Sequence, residues 1–309
     1  MLYQITIREA VAETDVTKFW EELRAYQKRD IFPDPENEDR AYFLSDDEYR
    51  TDIQKLHDRP EDRVHYLFFC REGQDIGFAM PVIYETEDGK CFILEFCVFP
   101  EFRGNGTGKQ CAKVLLDWAK ENGAKYAELN CDTPQRYRFW GYAGFVRNGV
   151  DEWGVPLMLL PPEEKLPFTT GHLTDGTDWQ LQRLLNSFLA EIGEEMLDDG
   201  KKERLAQAVG AGKIQFFLAK RGYRTVGICS VSPHFSTFAC KGSGVFDDFY
   251  VEPAFRRQGI ARQLADAARK WCREQGYASL TAGCSDGDMD MYRSLGFKTR
   301  LGTMLAADL

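Results

Sequence analysis

A carboxylate, an arginine and a glycine stand close together in residues 247–261, which read DDFYVEPAFRRQGIA. Asp248 precedes Arg256 by eight residues, and Gly259 follows Arg256 by three. A carboxylate at such a place can accept a proton from a reacting group. A turn built from arginine and glycine can bring backbone amides and positive charge close to an anion. The stretch therefore combines a candidate base with a candidate phosphate site.

Residues 94–108, LEFCVFPEFRGNGTG, repeat this pattern. Glu95 lies eight residues before Arg103, and Gly106 lies three residues after it. A register that agrees between two distant stretches indicates two copies of one unit rather than a chance motif.

Each stretch is predicted to join a strand to a helix. The residues before the turn are apolar and favour strands, and Pro100 or Pro253 ends each strand. After each turn, apolar residues recur at helical spacing: Cys111, Leu115, Trp118 and Ala119 in the first copy, and Ala261, Leu264, Ala265, Ala268, Trp271 and Cys272 in the second. The first amides of a helix are unpaired and carry partial positive charge, so each turn is predicted to bind a phosphate.

Two common phosphate loops do not fit these turns. A Walker A loop has four residues between its first glycine and the Gly-Lys pair, followed by Ser or Thr. Here three residues separate Gly104 from Gly108, and Gln110 follows Lys109. Neither copy contains the G-x-G-x-x-G of a dinucleotide-binding unit. Both copies match Arg-x-x-Gly-x-Gly or Ala between a strand and a helix, so the chain resembles a tandem member of the GNAT acyltransferases.

A second shared feature strengthens the resemblance. A Gly-Phe pair at 144–145 lies 38 residues after Gly106, and another at 296–297 lies 37 residues after Gly259. A helical segment containing aromatic residues precedes each pair. This ending is similar to that of GNAT proteins, and the resemblance extends over nearly the whole chain.

The resemblance implies an α/β fold, more strictly α+β with a mixed sheet, in two tandem GNAT-like acyl-CoA N-acyltransferase domains. A chain of 309 residues is long enough for both. We predict a first domain at 1–160, a linker at 161–167 that holds three prolines, and a second domain at 168–309.

Several local signals predict where elements begin and end. Thr14-Asp15 and Asp178 are predicted helix caps, and Ser45 with Glu48 forms a predicted capping box for a helix at 46–57. Residues 31–44 are predicted to be a loop, and a final strand is expected after the second Gly-Phe pair. Strands are predicted at 64–71, 76–85, 90–98, 125–131, 213–220, 224–232, 243–251 and 277–283.

By resemblance, each turn holds the pyrophosphate of coenzyme A, with acetyl-CoA as the acyl donor. The implied binding residues are Val98, Arg103, Gly104, Asn105, Gly106, Thr107 and Gly108 in the first copy, and Val251, Arg256, Arg257, Gln258, Gly259, Ile260 and Ala261 in the second. Lys109, Arg257 and Arg262 are expected to add positive charge.

The reaction implied by the resemblance is direct transfer of the acyl group to a primary amine in a ternary complex. Asp248 lies where the family often carries its base, although a carboxylate there can also serve only to organise loops. Tyr292 lies at the family's tyrosine position, where the hydroxyl serves the leaving sulfur; its alternative is a packed aromatic side chain. A backbone amide at Val251 or Tyr250 is the expected donor to the oxyanion.

The first copy keeps the carboxylate as Glu95 but has Trp140 at the place of the tyrosine. Indole has no acidic hydroxyl, which argues against catalysis by the first domain but not against binding of the donor. We therefore predict the second domain to be the main catalytic unit.

Composition narrows the class of protein. The net charge of −10 argues against a nucleic-acid partner, and no apolar run is long enough to span a membrane. The nine cysteines form no C-x-x-C pair, and the four histidines lack the spacing of metal ligands. The start of the chain has no secretory pattern. We predict a cytoplasmic protein without metal.

Two alternatives remain open at this point. One is an acyl-CoA sensor or regulatory module without turnover, and the other is a phosphate-binding protein unrelated to coenzyme A. The acceptor, a small-molecule or peptide amine, is not identified by the sequence, and neither is the oligomeric state. Glu194, Glu195, His234 and Phe235 are candidate acceptor contacts, but such residues are more typical of a solvated loop or helix end.

Overall fold

The computed structural model describes residues 4–162 and 166–302. These residues form two compact units. Within the described chain, the first unit comprises 4–146 and 157–162, and the second comprises 147–156 and 166–302. A segment of ten residues thus precedes the proposed linker in sequence but packs with the second unit.

The chain up to residue 162 alternates strands and helices. The strands are β1 (Thr6–Glu9), β2 (Leu67–Arg71), β3 (Gln74–Tyr84), β4 (Lys90–Val98), β5 (Tyr126–Asn130), β6 (Val146–Val150) and β7 (Pro156–Leu160). The helices are α1 (Glu13–Tyr26), α2 (Arg40–Phe43), α3 (Tyr49–His57), α4 (Thr107–Glu121) and α5 (Pro134–Tyr142). A π-helical turn, Gln27–Ile31, continues α1.

The chain from residue 166 repeats much of this order. Its strands are β8 (Phe168–Leu173), β9 (Gln215–Arg221), β10 (Arg224–Ser236), β11 (Lys241–Val251) and β12 (Leu280–Ala282). Its helices are α6 (Trp179–Ile192), α7 (Asp199–Gly210), α8 (Ile260–Glu274) and α9 (Met289–Ser294).

Each sheet is antiparallel except for one parallel pair. Strands β1-β2-β3-β4-β5 are neighbours in that order, with β4 and β5 parallel. The second sheet has the order β12-β11-β10-β9-β8, with β11 and β12 parallel. Both parallel pairings involve only three residues of each strand, and they stop at Phe92 and Phe246. Beyond these residues, no strand of the described ranges pairs with the carboxyl ends of β4 and β11 on that side.

Helices cover both faces of the first sheet. The face toward α4 and α5 buries a cluster that includes Leu115 and Trp140, and the face toward α1 and α3 buries one that includes Phe19 and Tyr66. In the second unit, α6 and α7 pack on the sheet through Leu181, Leu184, Leu185 and Val209. Burial of this apolar surface is the main force that holds the helices on the sheets.

Several predictions are confirmed at the level of single residues. The strand predicted at 90–98 has the expected bounds, and the helical segment predicted before Gly144-Phe145 is α5. Asp178 caps α6, because its Oδ1 accepts a hydrogen bond from the amide of Leu181 at 2.9 Å. The predicted cap at Thr14-Asp15 is wrong: α1 begins at Glu13, and no side chain caps it.

The remaining differences have local causes. Ser45 Oγ accepts from the amide of Glu48 at 3.1 Å, but this bond closes a turn, and α3 begins only at Tyr49. The short α2 lies in the predicted loop at 31–44. The edge strand β8 was missed because most of its residues are exposed, so it lacks an apolar pattern. The final strand is absent from residues 298–302, and the rest of that prediction lies outside the described residues.

Segment 147–156 contacts a buried ionic network in its unit. Asn148 Nδ2 donates to Glu252 Oε1 at 3.1 Å, and Glu252 also accepts from Arg183 and Arg224. Burial alone would raise the pKa of Glu252, but the two guanidinium groups hold it at about 2. Ser187 Oγ donates to the carbonyl of Val150 at 3.3 Å. The segment is therefore tied to both β11 and α6.

Within residues 4–162 and 166–302, no helix combines the length and apolar character that crossing a membrane requires.

Candidate active site

The two turns have the same backbone conformation at their central glycines. Gly106 is the N-cap of α4 with φ 80°, and Gly259 is the N-cap of α8 with φ 87°. Glycine is required here because this left-handed region is strained for residues with a side chain. A Cβ built on either glycine would meet no atom within 4 Å, so the space above both is open to a ligand.

Unpaired amides face the start of each helix. Several amides at each turn donate no hydrogen bond to any described residue, among them those of Gly106, Gly108 and Lys109 in the first copy and of Gly259, Ala261 and Arg262 in the second. Such amides, together with the partial positive charge of the helix, suit a phosphate oxygen. The open glycines and free amides fit the pyrophosphate that the resemblance implies.

The third small residue of the motif differs between the copies for a steric reason. A Cβ on Gly108 would lie 3.0 Å from the ring of Phe139, so this position is tight. The second copy has Ala261 at the same place, where the side chain is tolerated.

The motif arginine of the first copy is held by the protein. Arg103 Nε donates to the carbonyl of Val98 at 2.7 Å, and its Nη2 is ion-paired with Asp30. The side chain therefore ties the end of β4 to the turn. Its charge is offset by a carboxylate.

The second copy repeats this arrangement. Arg256 Nε donates to the carbonyl of Val251 at 2.8 Å, and its Nη2 lies 2.5 Å from Glu191 Oε2. The sequence-based expectation was that both motif arginines add positive charge to the phosphate site. In the structure, each one instead positions the loop and is paired with an acid.

The other expected cations are also placed by the structure. Lys109 Nζ lies 4.0 Å from the ring centroid of Tyr142, and Arg262 Nη2 donates to the carbonyl of Ser294 at 3.1 Å. Arg257 has φ 62° and is exposed beside Gly259. These side chains lie around the turns rather than between them and the strands.

A β-bulge marks the carboxylate in each half. Strand β4 has one extra residue opposite Met80 and Pro81, directly before Glu95. Strand β11 has one extra residue opposite Ile228–Ser230, and Asp248 lies there with φ 44°. A positive φ is strained for a residue other than glycine, and such strain is common at functional sites. Both bulges follow the point where the parallel strands separate.

Asp248 is partly buried and has a polar neighbour on β10. Ser230 Oγ donates to Asp248 Oδ2 at 2.6 Å. Burial raises the pKa of Asp248 above its ordinary value, and the Ser230 bond partly opposes this rise. A base with a raised pKa is better matched to proton transfer near neutral pH than an ordinary aspartate.

Tyr292 packs against the aromatic residues of β11 near the bulge. Its ring centroid is 6.4 Å from that of Phe246, 6.3 Å from Phe249 and 5.9 Å from Phe297. Phe246 and Phe249 flank Asp247 and Asp248 on β11, and the charge of Asp247 acts on the Tyr292 hydroxyl. Burial raises the pKa of Tyr292 to about 12, which keeps the hydroxyl protonated.

Glu95 in the first half lies in a different environment. Gln27 Nε2, from the π-helical turn after α1, donates to Glu95 Oε1 at 3.1 Å. Burial raises the pKa of Glu95 to about 7, while Gln27 and Arg136 oppose the rise. Gln27 is itself 2% exposed. This carboxylate can therefore exchange a proton near neutral pH.

Trp140 fills the place beside Glu95's strand where the second half has a tyrosine. It is 6% exposed and its ring packs on Phe96, Phe139 and Phe145. The first half thus keeps an apolar staple but lacks the hydroxyl.

Two polar residues of these sites were missed by the sequence analysis, Gln27 and Ser230. Ser230 could have been found by pairing β10 with β11 in register, because it faces the bulge. Gln27 gave no signal, because the π-helical turn that buries it is not visible in the sequence.

The candidate acceptor residues lie on exposed surface. Phe235 is 65% exposed near the end of β10, next to exposed His234. Glu195 is paired with Lys201 at 3.2 Å, and Glu194 is exposed. No described contact joins them to Asp248. Among the described residues, no group of three or more His, Cys, Asp or Glu side chains is arranged to hold a metal ion.

Several solved structures similar to this chain carry the names of acetyltransferases, and each is matched over about half of this chain. One is a probable acetyltransferase, 22% identical, with 47% of this chain and 100% of that chain covered and a TM-score of 0.40. Another is an aminoglycoside acetyltransferase from an uncultured soil metagenomic sample, in complex with trehalose, which is 19% identical. The match covers 46% of this chain and 95% of that chain, with a TM-score of 0.42. A third is glucosamine-6-phosphate N-acetyltransferase from Arabidopsis thaliana, which is 14% identical. The match covers 46% of this chain and 98% of that chain, with a TM-score of 0.39. Among curated proteins, none matches the sequence.

A family model matches the chain twice. The model describes the acetyltransferase (GNAT) family, and it matches residues 20–145 and 180–297. Each match contains one strand, turn and helix unit with its bulged carboxylate. The chain therefore belongs to the GNAT acetyltransferase family and carries two copies of the domain in tandem.

Proposed function

We propose that the protein transfers the acetyl group of acetyl-CoA to a primary amine by direct attack in a ternary complex, with the second half as the main catalytic unit. Membership of the family supports acyl transfer as the reaction class. The observation that supports the assignment to the second half is that Tyr292 packs on Phe246 and Phe249, the aromatic residues that flank the Asp248 bulge beyond the point where the parallel strands separate.

Asp248 is the proposed base. An alkylamine is protonated at neutral pH, so it must lose a proton before its nitrogen can attack the thioester carbonyl. Asp248 accepts this proton, directly or through water. The amide of Val251 or Tyr250, at the end of β11, is the proposed donor to the oxyanion that forms on the carbonyl.

Tyr292 is the proposed acid. When the carbon–sulfur bond breaks, the phenol donates its proton to the departing sulfur and recovers one from the medium afterwards. Its raised pKa ensures that the proton is present over the whole neutral range. The amides before α8 hold the phosphates, and Arg256 keeps the turn attached to the strand.

The first half is proposed to bind the donor without acting as the main catalyst. Its turn has the same free amides as the second, but Trp140 provides no proton for a leaving sulfur. A regulatory role in sensing acetyl-CoA is the alternative that this replacement favours. Glu95, with its raised pKa, retains the capacity of a base.

Calorimetric titration with acetyl-CoA, followed by thiol release in the presence of primary amines, tests this proposal. We expect two binding sites. We also expect turnover with a small-molecule or peptide amine that is lost in Asp248→Asn and retained in Glu95→Gln. The opposite pattern would assign catalysis to the first half. Absence of saturable binding would overturn the acetyl-CoA assignment, and binding without turnover across amino sugars, aminoglycosides, polyamines and peptides would favour the sensor.

A further inference from the structure

An arginine outside the motif reaches each turn from a neighbouring strand. Arg71 is the last residue of β2, and its Nη2 lies 3.4 Å from the hydroxyl of Thr107, the first residue of α4. Arg221 is the last residue of β9, and its Nη1 lies 3.3 Å from Oε1 of Gln258, just before the cap of α8. Each half thus places an arginine from the end of a strand within one residue of the N-cap of its helix.

These two arginines have unused hydrogen-bonding capacity. The Nε atoms of Arg71 and Arg221 are buried and have no hydrogen-bond partner within residues 4–162 and 166–302. A buried donor without a partner is costly, so such a group usually marks a missing ligand or water.

The charges of Arg71 and Arg221 are also not offset by an acid. Neither side chain forms an ion pair with any described carboxylate, whereas Arg103 and Arg256 each do. The positive charge of Arg71 or Arg221 is therefore available to an anion at the turn. The charge of Arg103 or Arg256 is already neutralised by a carboxylate.

Arg221 is held in place before any ligand arrives. Its guanidinium lies 5.1 Å from the ring centroid of Phe168 and 5.8 Å from that of Phe255. Phe255 is 1% exposed and cannot move freely. Contact with two rings restricts the side chain, so less entropy is lost when it binds.

We propose that Arg71 and Arg221 bind the pyrophosphate of coenzyme A, one in each half, and supply the positive charge that the motif arginines do not. This inference rests on the proposed function. The planar guanidinium can donate two parallel hydrogen bonds to phosphate oxygens. The pyrophosphate is the part of the ligand that faces a helix N-terminus, which is where both arginines point.

The test is calorimetric titration of Arg71→Gln and Arg221→Gln with coenzyme A and with dephospho-coenzyme A, which keeps the pyrophosphate but lacks the 3′-phosphate. We expect each variant to weaken one of two sites by about tenfold or more, and by the same factor for both ligands. Binding should also become less sensitive to salt in each variant. Arg273→Gln, at the far end of α8, is the matched control and should bind like the wild type.

Different outcomes separate the inference from the function on which it rests. If both variants bind both ligands with wild-type affinity, the arginines do not contact the ligand. If affinity falls for coenzyme A alone, they contact the 3′-phosphate, and the pyrophosphate assignment is wrong. If the wild type itself fails to bind, the proposed function fails first. Should Arg71→Gln unfold, Arg71→Lys keeps the charge without the planar fork, and weaker binding by this variant is still expected.

Discussion

Tyr292 and Trp140 occupy the same position in the two halves. The amide of Phe297 donates to the carbonyl of Tyr292 at 3.1 Å, and the amide of Phe145 donates to the carbonyl of Trp140 at 3.1 Å. In each half the carbonyl of this residue thus accepts a hydrogen bond from the amide five residues later, which closes the same turn. The two copies preserved the turn and its aromatic packing, but only the second preserved a hydroxyl. Aromatic packing at this position is therefore common to both halves, whereas the hydroxyl proposed as a proton donor is found only in the second half.

Tyr292→Phe removes the hydroxyl and keeps the ring contacts with Phe246, Phe249 and Phe297. We expect kcat to fall about 100-fold, because a proton donor of this kind contributes about 100- to 10,000-fold, while KM for acetyl-CoA changes little. Steady-state kinetics with thermal unfolding checks this. Trp140→Phe is the control, and we expect it to lower the unfolding free energy by roughly 1–3 kcal/mol and to spare turnover. Full activity of Tyr292→Phe would leave Tyr292 with a packing role only.

Ser230→Ala should alter the pH dependence of catalysis. The bond from Ser230 lowers the pKa of Asp248, so its loss raises that pKa further. A base must be deprotonated to act, and the acidic limb of kcat/KM should therefore move to higher pH. Asp248→Asn should remove the limb. A limb that stays in place in Ser230→Ala would exclude Asp248 as the titrating base.

Glu95→Gln should change how stability depends on pH. The folded-state pKa of about 7 lies above the ordinary 4.5, so the folded state binds the proton more tightly than the unfolded state. The contribution of Glu95 to the free energy of unfolding is fully present below about pH 4.5, and it is lost as the pH rises to about 7. Glutamine does not ionise. As the pH rises between these limits, the unfolding free energy of the variant should therefore increase by roughly 3 kcal/mol relative to that of the wild type. Urea unfolding across this range measures the difference.

The control for Glu95→Gln is the same change at the exposed Glu121. We expect no comparable change with pH in that variant. A difference between wild type and Glu95→Gln that is constant with pH would mean that Glu95 does not bind a proton more tightly in the folded state.

Gly259→Ala and Gly276→Ala form a matched pair at the two ends of α8. Both glycines have positive φ, 87° and 68°, and neither has an atom within 4 Å of a built Cβ. Each substitution should cost about 1–2 kcal/mol of unfolding free energy through backbone strain. Only Gly259→Ala places a methyl group where the phosphate would approach, so only this variant should lose affinity for acetyl-CoA, about tenfold. Equal affinities in the two variants would place the phosphate elsewhere.

Features that depend on local spacing could be predicted from the sequence. The helix after each turn follows from apolar periodicity, and the glycine caps follow from the need for positive φ at Gly106 and Gly259. The helix that carries Tyr292 before the second Gly-Phe pair followed from the resemblance. These features involve short-range pattern or an aligned motif.

Features that depend on distant partners could not be predicted. Arg103 forms an ion pair with Asp30, 73 residues away, and the residues around Arg103 give no sign of this partner. Gln27 meets Glu95 across 68 residues, through a π-helical turn that no periodicity reveals. Side-chain pairing of this kind is decided by tertiary packing rather than by the residues around each partner.

The contact between Asn148 and Glu252 has a consequence for the order in which the protein can fold during synthesis. The two residues are separated by 104 positions, so segment 147–156 leaves the ribosome well before the strand that it contacts. At about 5–20 residues per second, the segment waits for several seconds without its partners. The packing of the second unit is therefore completed by a segment that is synthesised before the rest of that unit.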